Sequence, residues 1–180
     1  EGFKASVDVD CAIRGQGAYF WRRNAYSDEL SIVWYINDYN RGKFSGEDNQ
    51  VGAIIDVKVI CEDDEVINIE DPDIKDSLLA FFKERGVSDV KAAGNIYDEF
   101  IGIIENDLGC RIKVTLVTVW APKKVLNFPT QGFGSPYCYV VRDTESIEIE
   151  DIREVGEVEE CKTQLELKMQ RYGLFKSYAP

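Results

Sequence analysis

The chain is 180 residues long and carries 21 Lys and Arg against 33 Asp and Glu, a formal net charge of −12, with no histidine. That length suits a single domain with a sizeable core, and a content of 44% hydrophobic and 12% aromatic residues excludes a disordered chain. Without an imidazole, Ser-His and Cys-His nucleophile activation, histidine metal sites and histidine proton shuttles are all excluded.

In chain order, Gln16–Trp21 reads as a glycine turn running into a short aromatic strand. Ser27-Asp28-Glu29 then marks a helix start, a hydroxyl followed by acids at the positive end of the dipole. That helix would carry Leu30, Val33, Trp34 and Tyr35 and end near Gly42. Residues 51–61 are β-branched and are expected to form a buried strand. Asp71 as N-cap, Pro72 at the first position and Gly86 beyond the last turn bracket a second helix with Ile74, Leu78, Phe81 and Phe82 on one face. A third is expected from Asn95 to Asp107, with Ile96, Phe100, Ile103 and Ile104 inward. Arg111–Trp120 alternates as a strand that Pro122 stops. Residues 137–142 and 146–152 read as two more strands, the second alternating Ile147, Ile149 and Ile152 with acids. The segment from Glu157 to Tyr172 reads as a charged helix. The expected class is α+β in one domain over residues 1–155, with the charged segment 156–180 belonging to it.

The acidic balance repels a phosphate backbone, so nucleic-acid or anionic-membrane binding would need a local basic patch. Arg22-Arg23, Arg41 with Lys43, and Lys123-Lys124 are short, and each reads as solvated surface. The five cysteines, Cys11, Cys61, Cys110, Cys138 and Cys161, are widely spaced with no C-x-x-C pair. This spacing argues against a disulfide framework or a zinc site and fits a reducing, cytoplasmic compartment. No stretch approaches the ~18 apolar residues of a membrane span, so no membrane partner is expected. Nine carboxylates lie between Asp143 and Glu160, a run that usually forms a solvated face. The aromatic cluster Tyr19, Phe20, Trp21, Trp34 and Tyr35 reads either as core, preferred for Phe20, or as a stacking platform for a flat cationic ring. Gly15 and Gly17 alone are a weak turn or phosphate signal with no Rossmann spacing after them.

Three segments taken together resemble a known family. Gly15-Gln16-Gly17-Ala18-Tyr19-Phe20 resembles the "G-x-G-x-Y-F" element of the poly(ADP-ribose) polymerase-like ADP-ribosyltransferases, and more closely the "G-x-G-x-Y-F-W" of bacterial toxin-like members. Glu1-Gly2-Phe3-Lys4-Ala5-Ser6 resembles the "G-[FL]-x-x-S" strand that precedes it, and Tyr137–Asp143 resembles the late strand "N-E-Y-[IV]-V-Y-D" that holds the catalytic glutamate. The segments keep the family's order. The resemblance implies an ADP-ribosyltransferase-like fold of two packed, antiparallel-rich sheets with flanking helices. It also implies transfer of ADP-ribose from NAD, as a substrate and without a metal, through an oxocarbenium-like transition state.

By that resemblance Tyr19 stacks on the nicotinamide ring, Gly17 and Ser31 hold its carboxamide, Trp34 closes the sandwich and Phe20 adjoins the site. Ser27 with Leu30 is the alternative pair that needs no longer loop. Two departures stand out. The family's first histidine lies in a strand ahead of "G-[FL]-x-x-S", a position before Glu1. Cys138 stands where the catalytic glutamate does, and a thiol neither holds a ribose hydroxyl nor stabilises positive charge well. Family members without the glutamate tend to be mono-transferases using an acidic acceptor, or inactive. Glu148 or Glu145 is the substitute carboxylate, while the plain reading of Cys138 is a small buried hydrophobe. The expected acceptor is a protein or an RNA end, with an antitoxin or immunity protein as a further partner and delivery into a target cell as an alternative setting. The rival readings are a catalytically degenerate binding module of the same fold and an acidic interaction protein that uses the carboxylates of residues 143–160.

Overall fold

A computed structural model of the chain describes residues 14–46, 50–86, 90–126 and 128–171. The expected strand at Glu1–Ser6, and Cys11, lie outside them. Among the described residues the fold is α+β, with four helices and two sheets. The elements are β1 (Ala18–Trp21), α1 (Ser27–Asn40), β2 (Gly52–Val59), β3 (Val66–Asn68), α2 (Pro72–Glu84), α3 (Val90–Leu108), β4 (Val114–Thr118), β5 (Tyr137–Val141), β6 (Ile147–Gly156) and α4 (Val158–Arg171). One sheet has the order β1-β5-β4-β3 and the other pairs β2 with β6. No described helix is long and apolar enough to cross a membrane. The chain divides into two compact units, the first within residues 1–22, 57–119 and 137–148 and the second within 23–56, 120–136 and 149–180.

In the first unit, β5 pairs antiparallel with β1 on one side and β4 on the other, and β3 adds in parallel to β4. Its sequence, Tyr-Cys-Tyr-Val-Val, is the aromatic and β-branched composition that a strand buried between neighbours needs. Three-residue β3 was not anticipated, because a run that short carries no period of its own. Its place comes from the distant register Val66↔Val114. β4 is shorter than the expected 111–120. At its end the Glu70 carboxylate takes over the hydrogen bonding, accepting from the Thr118 N–H and hydroxyl at 2.8 Å each.

α2 forms as expected. The Asp71 side chain accepts from the Asp73 N–H at 3.1 Å, and Gly86 takes the left-handed φ of +65° that ends the helix. α3 corrects two expectations. It begins at Val90 rather than Asn95, running through a buried Gly94, because packing outweighs the modest helix cost of one glycine. Its inward stripe is Tyr97, Phe100, Ile101 and Ile104, while Ile103 is 40% exposed. The i, i+3, i+4, i+7 pattern centres on Tyr97 and Ile101. A buried tyrosine fits there because its hydroxyl accepts from Arg14 Nη1 at 2.7 Å.

The second unit is built on α1 against α4. Ile32, Val33 and Ile36 share a core with Val158, Cys161, Leu165 and Met169, joined by Ile54, Val125 and Phe128. The charged helix expected at 157–172 is therefore amphipathic, with every third or fourth residue buried. The buried Glu29 of α1 has Lys168 of α4 as its counter-charge, the condition under which a carboxylate tolerates such a place. The expectation of a buried strand over 51–61 fails in the two-stranded sheet. β2 buries Gly52 and Ile54 but leaves Ala53 and Ile55 open. On β6, Ile149 and Ile152 are 48% and 57% exposed. A two-stranded sheet leaves much of its surface uncovered, so apolar residues on it stay in water.

Arg153 gathers this unit's acids, bonding Asp28 at 2.9 and 3.3 Å and Asp56 at 3.1 Å. The hydrogen bonds from Arg153 hold the Asp28 carboxyl below its ordinary 3.8. The stability this gives is present above that value and is lost as pH falls through the lower, folded value. The advantage of the native protein over Asp28→Asn is therefore expected to shrink in urea titrations taken below pH 3.8. Replacing the fully buried Leu165 by alanine is expected to cost about 2–5 kcal/mol in the same measurement. Leu167→Ala, on the exposed face of the same helix, is expected to cost less than about 0.5 kcal/mol.

Candidate functional site

The two described segments that carry the family resemblance are far apart in sequence and adjacent in the sheet. β1 and β5 pair antiparallel with Tyr19↔Val140, Phe20↔Tyr139 and Trp21↔Cys138 opposite one another. Directly paired residues share a face. Tyr19, Cys138 and Val140 lie on the face that packs into the core with Ile67, Tyr97 and Phe100. Phe20 lies on the other face with Tyr139 and Val141, half-buried.

The glycine turn ahead of β1 is held tightly. Gly15 and Gly17 are both buried, while Gln16 between them is exposed. At Gly17 (φ +155°) a β-carbon would come within 2.7 Å of the Val141 carbonyl oxygen and 2.8 Å of Val140 Cγ1. Only glycine lets the turn approach β5 this closely. Gly15 has φ +91°, and its carbonyl accepts from the Tyr19 hydroxyl at 2.6 Å. The same hydroxyl oxygen accepts from the Arg14 N–H at 3.2 Å. Tyr19 thus serves the turn with its hydroxyl and the core with its ring.

Sequence reasoning missed the partner of this turn. Asp98 of α3 accepts the Gln16 N–H on both carboxylate oxygens, at 3.1 and 3.0 Å, and pairs with Arg142 immediately after β5. An aspartate in mid-helix carries no local signal, since only the tertiary approach of α3 gives it this role. Tyr97, one residue earlier, holds Arg14, and burial pushes its phenol above the ordinary value.

Cys138 is 3% exposed, and burial pushes its thiol up to about 12, so it is protonated and inert at neutral pH. Glu148, expected as a substitute carboxylate, is exposed on β6. In the second unit α1 carries Ser31 and Trp34 one turn apart. The Ser31 hydroxyl donates to the Ser27 carbonyl at 2.8 Å, which leaves its oxygen free to accept. Trp34 is 47% exposed with Lys43 Nζ at 5.6 Å from its ring centre, so one cation already attends this aromatic surface. Ser27 and Leu30, the alternative pair, are otherwise engaged: the Ser27 hydroxyl donates to the Asn24 carbonyl at 3.1 Å, and Leu30 is 1% exposed.

The first unit also has a hollow of about 640 Å³ between β3, α2 and α3, with apolar Ile74, Phe100 and Ile104 and the carboxylates of Asp64, Asp73 and Asp107 among its walls. None of the candidate residues lines it. No protein-family model, no curated protein and no solved structure matches this chain.

Gly17→Ala is expected to destabilise the protein by at least about 2 kcal/mol, measured by denaturant titration, because the clash is with backbone. In the native protein at pH 8, iodoacetamide is expected to leave Cys138 unmodified, and peptide mass mapping should find it alkylated only after unfolding.

Proposed function

We propose that this chain is an ADP-ribosyltransferase-like domain that takes NAD as substrate and passes ADP-ribose to a macromolecular acceptor. The observation that carries the reading is the pairing of β1 with β5. Two segments resembling motifs of one family lie side by side, in register, beside a turn in which Gly17 has no room for a β-carbon. The ADP-ribosyltransferase-like fold is part of the same proposal.

In this reaction the bond between the nicotinamide nitrogen and the ribose carbon breaks, and its electron pair leaves with neutral nicotinamide. The acceptor nucleophile then bonds to that carbon and gives up its proton. The domain's task is to hold the pyridinium ring and to stabilise charge at the ribose. By the resemblance, the Gly17 backbone would hold the carboxamide and Tyr19 would meet the ring in the first unit, while Ser31 and Trp34 are its candidates for the same two tasks in the second. Charge stabilisation falls to Glu148 or to a carboxylate of the acceptor, since the Cys138 thiol is buried and protonated. A chain of net charge −12 favours a protein acceptor, or a narrowly recognised RNA end, over general nucleic-acid binding. An antitoxin or immunity protein fits the same reading as a partner.

A second reading, binding of NAD or ADP-ribose without turnover, is favoured by one observation. The position of the family's glutamate holds a thiol with no charge to offer. Isothermal titration with NAD, run beside a chromatographic assay for released nicotinamide, separates the two. Under the first reading both binding and release are expected. Trp34→Ala should lower release at least about ten-fold. Cys138→Ala should leave it within about two-fold. Binding without release selects the second reading, and no binding rejects both.

A further inference from the structure

The family-like segments meet at one carboxylate that belongs to neither. Asp98 reaches from α3 to the Gln16 N–H with both oxygens, at 3.1 and 3.0 Å, and pairs with the Arg142 guanidinium at the end of β5. The contact is close on every side. A β-carbon on Gly15 would sit 2.8 Å from Asp98 Oδ1, so the turn lies directly against this side chain. Asp98 and Arg142 are 22% and 19% exposed, sheltered enough for the pair to resist screening better than a surface pair does. On its other side the turn is tied to β1 through the Tyr19 hydroxyl on the Gly15 carbonyl. The turn therefore has two anchors, one within its own motif and one from a helix the motif does not include.

We infer that Asp98 is a positioning residue for NAD, fixing through Gln16 and Arg142 where the Gly17 backbone stands. The inference rests on the NAD reading above. A bound carboxamide needs its backbone partners placed to a fraction of an ångström, and a displacement of about 1 Å in such a group costs up to about 100-fold. Asp98 contributes no contact to the substrate. Its effect is exerted through the peptide that joins Gln16 to Gly17.

The test uses the intact chain and NAD itself. Asp98→Ala is expected to raise the NAD dissociation constant at least about ten-fold. Asp98→Asn keeps one oxygen acceptor for the Gln16 N–H while giving up the charge on Arg142, and should lose clearly less than the alanine variant, about three-fold. Glu99→Ala removes an exposed partner of Arg85 one position along the same helix and should leave the affinity unchanged. Amide exchange without NAD gives an independent readout: Gln16 and Gly17 should exchange faster in Asp98→Ala and keep their protection in Asp98→Asn. Native affinity in Asp98→Ala overturns the inference and leaves the NAD reading standing. Equal loss in the alanine and asparagine variants, matched by equal loss of thermal stability, also overturns it, because that marks general weakening rather than positioning. If the native chain does not bind NAD, the functional reading fails and takes this inference with it.

Discussion

The first unit depends on the pairing of β5 with a neighbour on each side. Cys138, Val140 and Val141 are almost wholly buried, so every backbone N–H and C=O along this strand must find a partner in the sheet. β1 and β4 supply them. The requirement brings the glycine turn ahead of β1 against β5, since the register that aligns Ala18 with Val141 places Gly17 against the Val141 carbonyl. Glycine at that position follows from the strand pairing. α2 and α3 then cover the face that shows Tyr19, Cys138 and Val140.

In a strongly acidic chain, the placement of the few cations matters more than usual. Several of them join elements distant in sequence, among them these. Lys168 neutralises the buried Glu29, Arg153 gathers Asp28 and Asp56, and Arg142 meets Asp98. The first two serve the α1 and α4 unit and the third serves the glycine turn. Glu29 and Asp98 are sheltered carboxylates that would be costly without a partner, which gives these pairs a specifying role beyond their modest stabilisation.

The chemistry available to the proposed site is correspondingly narrow. There is no imidazole in the chain, and the Cys138 thiol on β5 is enclosed, its burial pushing it up to about 12. Remaining are aromatic surface, backbone hydrogen bonding at a glycine turn, a serine hydroxyl that is free to accept, and carboxylates. Under the proposed function, that inventory would serve to bind a flat cationic ring and to stabilise a cationic transition state.

How far the sequence can be read varies with the range of each interaction. α2 was legible to the residue, because Asp71, Pro72 and Gly86 act on their own neighbours. β1 and β5 were legible as strands from aromatic and β-branched runs. β3 was not, being three residues long and defined by its parallel partner. The inward stripe of α3 was misjudged at Ile103, because sequence alone favours isoleucine over tyrosine for the core, whereas Arg14 satisfies the Tyr97 hydroxyl from outside the helix. The isoleucines of β6 show a related limit: alternation identifies a strand but does not say whether anything covers it. At the candidate site, the sequence determined the residue types, the glycine spacing and the absence of an imidazole. Only the tertiary structure decided that β1 lies beside β5, that Cys138 is sealed in, and that Asp98 holds the turn. Those are contacts between residues far apart in the chain, where local periodicity and capping carry no information.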